Sequence, residues 1–193
     1  MDTNGEVKKI GLRQYLTGHF PQRQTDYLSE EELALVLDGF VLAFVNCILV
    51  TQDKRLIKML LVKRTTEPWP DWWLPGGRMV PGESFEETAV RCLKRQLGLA
   101  IDDRSRFQYL GTYGFVWAKR AFPPTERGCH VVSTILVLKV NDREAKSVQR
   151  INDEYSELAW TRPEVVVIQA GLHQGLAQCI RDLIDFLALK KSG

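Results

Sequence analysis

The spacing of apolar residues changes several times along this chain, and each change marks an element. Ser29 precedes Glu30, Glu31 and Glu32 and then Leu33, Leu35, Val36 and Leu37, which predicts a short helix opened by a capping box. Phe40–Thr51 and Leu56–Arg64 are β-rich runs separated by Gln52-Asp53-Lys54-Arg55, a hairpin pattern. Thr65–Asp71 is a Pro/Trp loop. From Ser84 to Leu97 the residues Phe85, Ala89, Leu93 and Leu97 recur every four positions, one face of a helix that Gly98 stops. Strands follow at Phe107–Trp117 and His130–Val140, joined by a basic loop with Lys119, Arg120, Pro123, Pro124 and Arg127, and a short strand fits Tyr155–Trp160. Leu172, Leu176, Ile180, Leu183, Ile184 and Leu187 form the stripe of a final helix. Residues 1–27 are polar, with Tyr15, Phe20 and Tyr27 at no period, and read as an arm on a single domain, 28–193. Strands mixed with few helices predict an α+β fold layered as α/β/α.

Composition narrows the partners. The 193 residues hold 26 Lys+Arg against 24 Asp+Glu, a net charge of +2, so there is no electrostatic footprint for nucleic acid or an anionic membrane. Burying roughly 70% of the unfolded surface suffices for one core. The N-terminus lacks the apolar run of a signal peptide, and the longest apolar stretch, Phe40–Val50, is too short to span a bilayer. Cys47, Cys92, Cys129 and Cys179 are far apart and form no metal-binding pair, so free core thiols in a cytoplasmic protein are expected.

The candidate chemistry lies in Trp73–Leu99. Gly76 and Gly77 permit close backbone approach to a ligand, and the following helix presents free N–H groups, an anion site. Glu83, Glu86 and Glu87 suit the same helix end through the dipole. The segment resembles the Nudix box, G-x5-E-x7-R-E-U-x-E-E-x-G-U, with Gly77, Glu83, Arg91, Leu93, Gly98 and Leu99 on the pattern. That resemblance implies a Nudix-like mixed sheet between helices.

At the three places where the family's helical glutamates hold Mg²⁺, this chain has Cys92, Arg95 and Gln96, which share one side of the helix. Three glutamates would bring −3 and these residues bring +1, a change of four charges. Thr88–Ile101 contains no carboxylate. The sequence is similar to the GDP-mannose mannosyl hydrolase branch, whose members attack the sugar's anomeric carbon with a single Mg²⁺. Leu28–Thr51, Lys63-Arg64-Thr65, Arg78, Val116-Trp117 and His130 carry that similarity, which covers roughly residues 28–165. Asn46 stands where that branch has a ligand-binding Asp, Gln96 where it has a metal-binding Glu, and Lys119 near a substrate-site His. Glu154-Tyr155 replace its Gln-His pair of metal ligand and base.

The resemblance thus implies hydrolysis of a GDP-mannose-like nucleotide sugar, with Arg64, Arg78 and Glu154 as catalytic residues. Asn46, Lys119 and Arg95 join Arg64 and Arg78 in binding substrate, and Gly77, Gln96 and Glu154 hold Mg²⁺. Arg95 can also supply fixed positive charge to a diphosphate in place of metal. The alternative is a catalytically silent Nudix module that binds a nucleotide or a protein partner. A homodimer is implied, with no nucleic acid and no membrane partner. Tyr155, with an ordinary pKa near 10, is a poor base and is expected to pack or hydrogen-bond. Trp69 and Trp72 are candidates to stack on a base, Trp73 to enter the core, His130 to be structural and Cys92 to fill the helix interior. His19 and His173 carry no pattern.

Overall fold

The computed structural model describes Tyr15 and residues 28–53 and 56–189; the proposed arm and the tip of the first hairpin otherwise lie outside the described residues. Helix α1 (Glu30–Gly39) is followed by β1 (Leu42–Asp53) and β2 (Leu56–Arg64). Two short strands, β3 (Trp72–Trp73) and β4 (Gly76–Arg78), lead into α2 (Phe85–Leu97). Then come β5 (Phe107–Trp117), β6 (Cys129–Lys139), α3 (Asp142–Ser147), β7 (Tyr155–Thr161), α4 (Pro163–Val166) and α5 (Gln174–Leu189).

The sheet is mixed, in the order β3-β2-β1-β6-β5, with β4 on β1 and β7 on β2. β1 and β6 are parallel, and the remaining pairs are antiparallel. β1 is central, and its alternation sorts the core into two halves. Ile48 and Val50 pack with Leu176, Ile180 and Leu183 of α5, whereas Val45, Cys47 and Leu49 pack with Ala89, Leu93 and Leu97 of α2. The architecture is therefore the α/β/α layering expected from the pattern. Among the described residues no helix is long and apolar enough to cross a membrane.

One edge of β1 is shared, and this creates the site. Val50–Asp53 pair with β2, but Phe44–Asn46 pair with β4 instead. Residues 74–79 are sewn to β1 by Cys47 N–H to Pro75 O (2.8 Å) and Met79 N–H to Ala43 O (2.9 Å). The Gly76–Arg78 ledge thus stands beside the outer half of β1.

Helix α2 has the capping box its sequence announces: Ser84 Oγ accepts from Glu87 N–H (3.1 Å), and Ser84 N–H donates to Glu87 Oε2 (2.8 Å). Gly98 ends it in the left-handed region, at φ 66°. Helix α1 also has its capping box, yet it has no fully buried residue. Its C-terminal end is fastened through Asp38, which accepts from Arg120 (2.6 Å) and Arg127 (2.7 Å).

Candidate functional site

The ledge is held by α2. Gly76 donates its N–H to Gln96 Oε1 (3.1 Å), and its carbonyl accepts from Gln96 Nε2 (2.8 Å). Because a backbone N–H can only donate, this pair fixes which end of the Gln96 amide is oxygen. Arg91 forks onto Glu83 (2.5 and 2.7 Å) and donates to Arg78 O (2.9 Å), closing the loop onto the helix. Burial alone would raise the Glu83 carboxyl, but Arg91 and Thr88 outweigh it and hold the group below its usual range. Glu83 and Glu87 are thus engaged in building the loop and helix end.

Gly76 sits at φ 155°, and a Cβ there would lie 2.2 Å from Val45 O and 2.6 Å from Asn46 Cα. Those neighbours are backbone and cannot move aside. Gly76→Ala is therefore expected to destabilise the fold by about 3 kcal/mol or more, measured by denaturant unfolding.

A cleft of about 530 Å³ opens over the ledge. Arg64, Arg78 and Arg95 line it together with Glu67 and Glu154, and Phe44, Phe115 and Trp117 give it an apolar wall. Arg64, at the end of β2, is half-buried and donates to Glu67 O (3.0 Å). Burial lowers its pKa, with Tyr155 and Glu154 pulling the other way. An arginine still keeps its charge at any physiological pH. Glu154 accepts from Gln96 Nε2 at both oxygens (3.1 Å each), and its Oε2 lies 3.6 Å from Arg95 Nη2. Three of the expected ligand-binding arginines and the expected glutamate therefore share one cleft.

Other expected residues are placed differently. Asn46 borders the cleft, but it donates to Leu74 O (3.2 Å) and accepts from Ser133 Oγ (2.7 Å), bracing the ledge. Lys119 does not line the cleft; it is exposed, 3.7 Å from Glu67 Oε1. Trp69 does not border the cleft as a base-stacking ring. It packs on His173 (ring centroids 4.7 Å apart) and Trp117 (6.3 Å), because the loop folds back on the core. Trp72 lies under Lys63 Nζ and is not part of the cleft. Trp73 and Cys92 are buried, as expected, and His130 is exposed on β6 without lining the cleft. Tyr155 is fully buried, and burial followed by the neighbouring Glu154 pushes its pKa well up. It packs, as expected, and takes no proton at neutral pH.

The family model of the NUDIX domain matches residues 42–183. The chain belongs to the Nudix family. An ADP-ribose pyrophosphatase of Methanocaldococcus jannaschii is 34% identical over 91 residues. That match covers 47% of this chain and 48% of the relative, so it spans about half the length of that protein. Among solved structures, an Ap4A hydrolase of C. elegans in a binary complex is similar at a TM-score of 0.59 and 17% identity, over 77% of this chain and 98% of that one. The NUDIX domain of Shewanella oneidensis NrtR, complexed with ADP ribose, is similar at 0.58 and 24% identity, over 80% and 97%. At these identities the two structures speak for the fold alone.

Nudix hydrolases generally use divalent metals such as Mg²⁺, which wants several hard oxygen ligands in near-octahedral array. The donor set expected here, Gly77, Gln96 and Glu154, does not fit that demand. Gln96 turns its NH₂ group toward Glu154 and commits its oxygen to Gly76 N–H. Of the three, only Glu154 contributes a carboxylate, with a guanidinium beside it. Among the described residues no group of three or more His, Cys, Asp or Glu converges where a metal could sit.

Two features of this Nudix domain escape sequence reasoning. Arg120, in a basic Pro-rich loop, is 1% exposed. Besides Asp38 it donates to Phe122 O (3.0 Å) and Pro123 O (3.4 Å). The signal that could have found it is the acid Asp38 directly after the apolar run Leu33–Leu37. His173 is enclosed by Trp69, Trp73 and Trp117, with ring centroids at 4.7, 5.3 and 4.9 Å. Its Nδ1 accepts from Gly175 N–H (3.1 Å), and burial lowers its pKa from the usual 6.5.

A pH dependence follows for His173. The folded state prefers the neutral ring, so its contribution is complete above the unfolded pKa of about 6.5. As pH falls below that value the unfolded chain protonates first, and stability is lost until the folded pKa is reached. Thermal melts between about pH 7 and pH 5 should show a falling Tm, with a shallower fall in His173→Phe.

Proposed function

We propose that the cleft binds a nucleoside diphosphate-linked compound, with Arg64, Arg78 and Arg95 gripping the diphosphate. The observation that carries this reading is the grouping of those three arginines around the Gly76–Arg78 ledge of one cleft. Guanidinium forks match phosphate oxygens in pairs, and an apolar, partly aromatic wall suits a nucleoside. A volume of about 530 Å³ is in the range of small-molecule sites. The similar ADP-ribose pyrophosphatase of Methanocaldococcus jannaschii supports the ligand class. A near-neutral charge total supports a small ligand over nucleic acid.

A second reading is hydrolysis of a GDP-mannose-like nucleotide sugar at its anomeric carbon. Arg64 at the end of β2 and Arg78 on the ledge of one cleft favour it, because their guanidinium charges stabilise a leaving diphosphate. Its water-activating base is not supplied by Tyr155, which stays protonated. The homodimer that the resemblance implies belongs to this reading too, and light scattering reads it directly.

Calorimetric titration with ADP-ribose and GDP-mannose, paired with a turnover assay at high protein concentration, tests both. Saturable binding without product supports the binding module. Release of free sugar supports hydrolysis, and absence of binding overturns both.

A further inference from the structure

We propose that this cleft holds a diphosphate without a divalent cation: Arg95 is the fixed positive charge, and Glu154 is an internal anion that the ligand displaces. The inference rests on the reading of the cleft as a site for a nucleoside diphosphate-linked compound.

The positions of three side chains carry it. Arg95 reaches from α2 toward the ledge, its Nη2 3.9 Å from where a Cβ on Gly77 would stand. It meets Glu154 Oε2 at 3.6 Å. Gln96, the next residue on α2, donates to both Glu154 oxygens while its own amide is locked to Gly76. Glu154 is also tethered from behind: its carbonyl accepts from Thr65 N–H (3.1 Å) and Thr65 Oγ1 (3.2 Å), and its N–H donates to Asn152 Oδ1 (3.2 Å). Thr65 directly follows Arg64, so the backbone of Glu154 is tethered next to Arg64, whose charge feels the Glu154 carboxylate.

This arrangement presents one negative charge to cations that a diphosphate would use. The Arg95–Glu154 pair is partly exposed, at 39% and 31% of the side-chain surface, and its separation exceeds a hydrogen bond. Such a pair holds weakly, whereas a diphosphate offers more charge and can be gripped in forks. The rest of the helix agrees. From Thr88 to Ile101 there is no carboxylate, and Arg91 is consumed by Glu83, so Lys94 and Arg95 leave this stretch of α2 cationic. A diphosphate approaching it meets attraction without a bridging metal.

The sign of one substitution separates this account from a metal site. Were Glu154 a metal ligand, Glu154→Gln would weaken binding. As a competing anion, its neutralisation strengthens binding, and glutamine can still accept from Gln96. The test is calorimetric titration of ADP-ribose into wild type, Arg95→Gln and Glu154→Gln, each in EDTA and in Mg²⁺. Wild-type affinity should agree within about twofold between the two buffers; Arg95→Gln should weaken it about tenfold and Glu154→Gln tighten it about threefold or more. Binding that requires Mg²⁺, or weakening by Glu154→Gln, overturns this inference while the nucleotide reading stands. Absence of wild-type binding in both buffers overturns the two together.

Discussion

Arg120→Ala should lower the stability of the domain by about 3 kcal/mol, a fall of roughly 6–12 °C in Tm. Arg120 is 1% exposed and donates to Asp38 and to the carbonyls of Phe122 and Pro123. Truncation removes every one of those bonds, opens a void and takes away the buried half of the link that ties α1 to the β5–β6 connection. Helix α1 has few other anchors, since none of its residues is fully buried. Its release should therefore precede global unfolding and appear as early exchange of the α1 amides. Arginine burial is costly in itself, so a double Asp38→Ala/Arg120→Met variant should recover much of the loss by exchanging an ion pair for apolar packing. Circular dichroism melts of both variants, with hydrogen exchange on the single one, check the expectation.

Arg64→Gln should weaken binding of ADP-ribose by about 10- to 100-fold. Two facts set that magnitude. The guanidinium lies at the end of β2, braced by Glu67 O at 3.0 Å, so little motion is lost when a phosphate binds. It is also half-buried, so its charge is less screened than that of a surface arginine. Arg95, more exposed and already beside Glu154, should matter less. The substitution leaves the Gln96–Gly76 clamp and the Arg91–Glu83 fork untouched, so the melting temperature should change little. Titration and melting of one preparation separate a lost contact from a lost fold.

Much of this was legible because its determinants are local. Ser84 and Glu87 lie three residues apart, and Phe85, Ala89, Leu93 and Leu97 mark a helix face, so α2 and its cap could be read directly. Arg64 and Arg78 sit beside strand and glycine signals that fix where the backbone goes. Gln96 and Glu154 were grouped by resemblance to a metal site. The structure does bring them together, but as a donor and an acceptor to one another. That distinction depends on Gly76, which claims the amide oxygen from 20 residues away.

What escaped depends on distant partners. Arg120 in a basic loop reads as solvated, and the carboxylate that balances its buried charge, Asp38, lies 82 residues earlier. His173 shows no period because its cage comes from a loop, from β3 and from β5. Trp69 departs from its expected stacking role for the same reason: a loop aromatic is recruited by a histidine more than 100 residues later in the chain.

The most direct test of the central claim is a crystal structure of the chain soaked with ADP-ribose. The expected result places the diphosphate over Gly76–Arg78, within hydrogen-bonding distance of Arg64 and Arg78, with Arg95 turned from Glu154 toward a phosphate oxygen. Ligand bound outside this cleft, or bound in it with the diphosphate directed away from those arginines, would contradict the account.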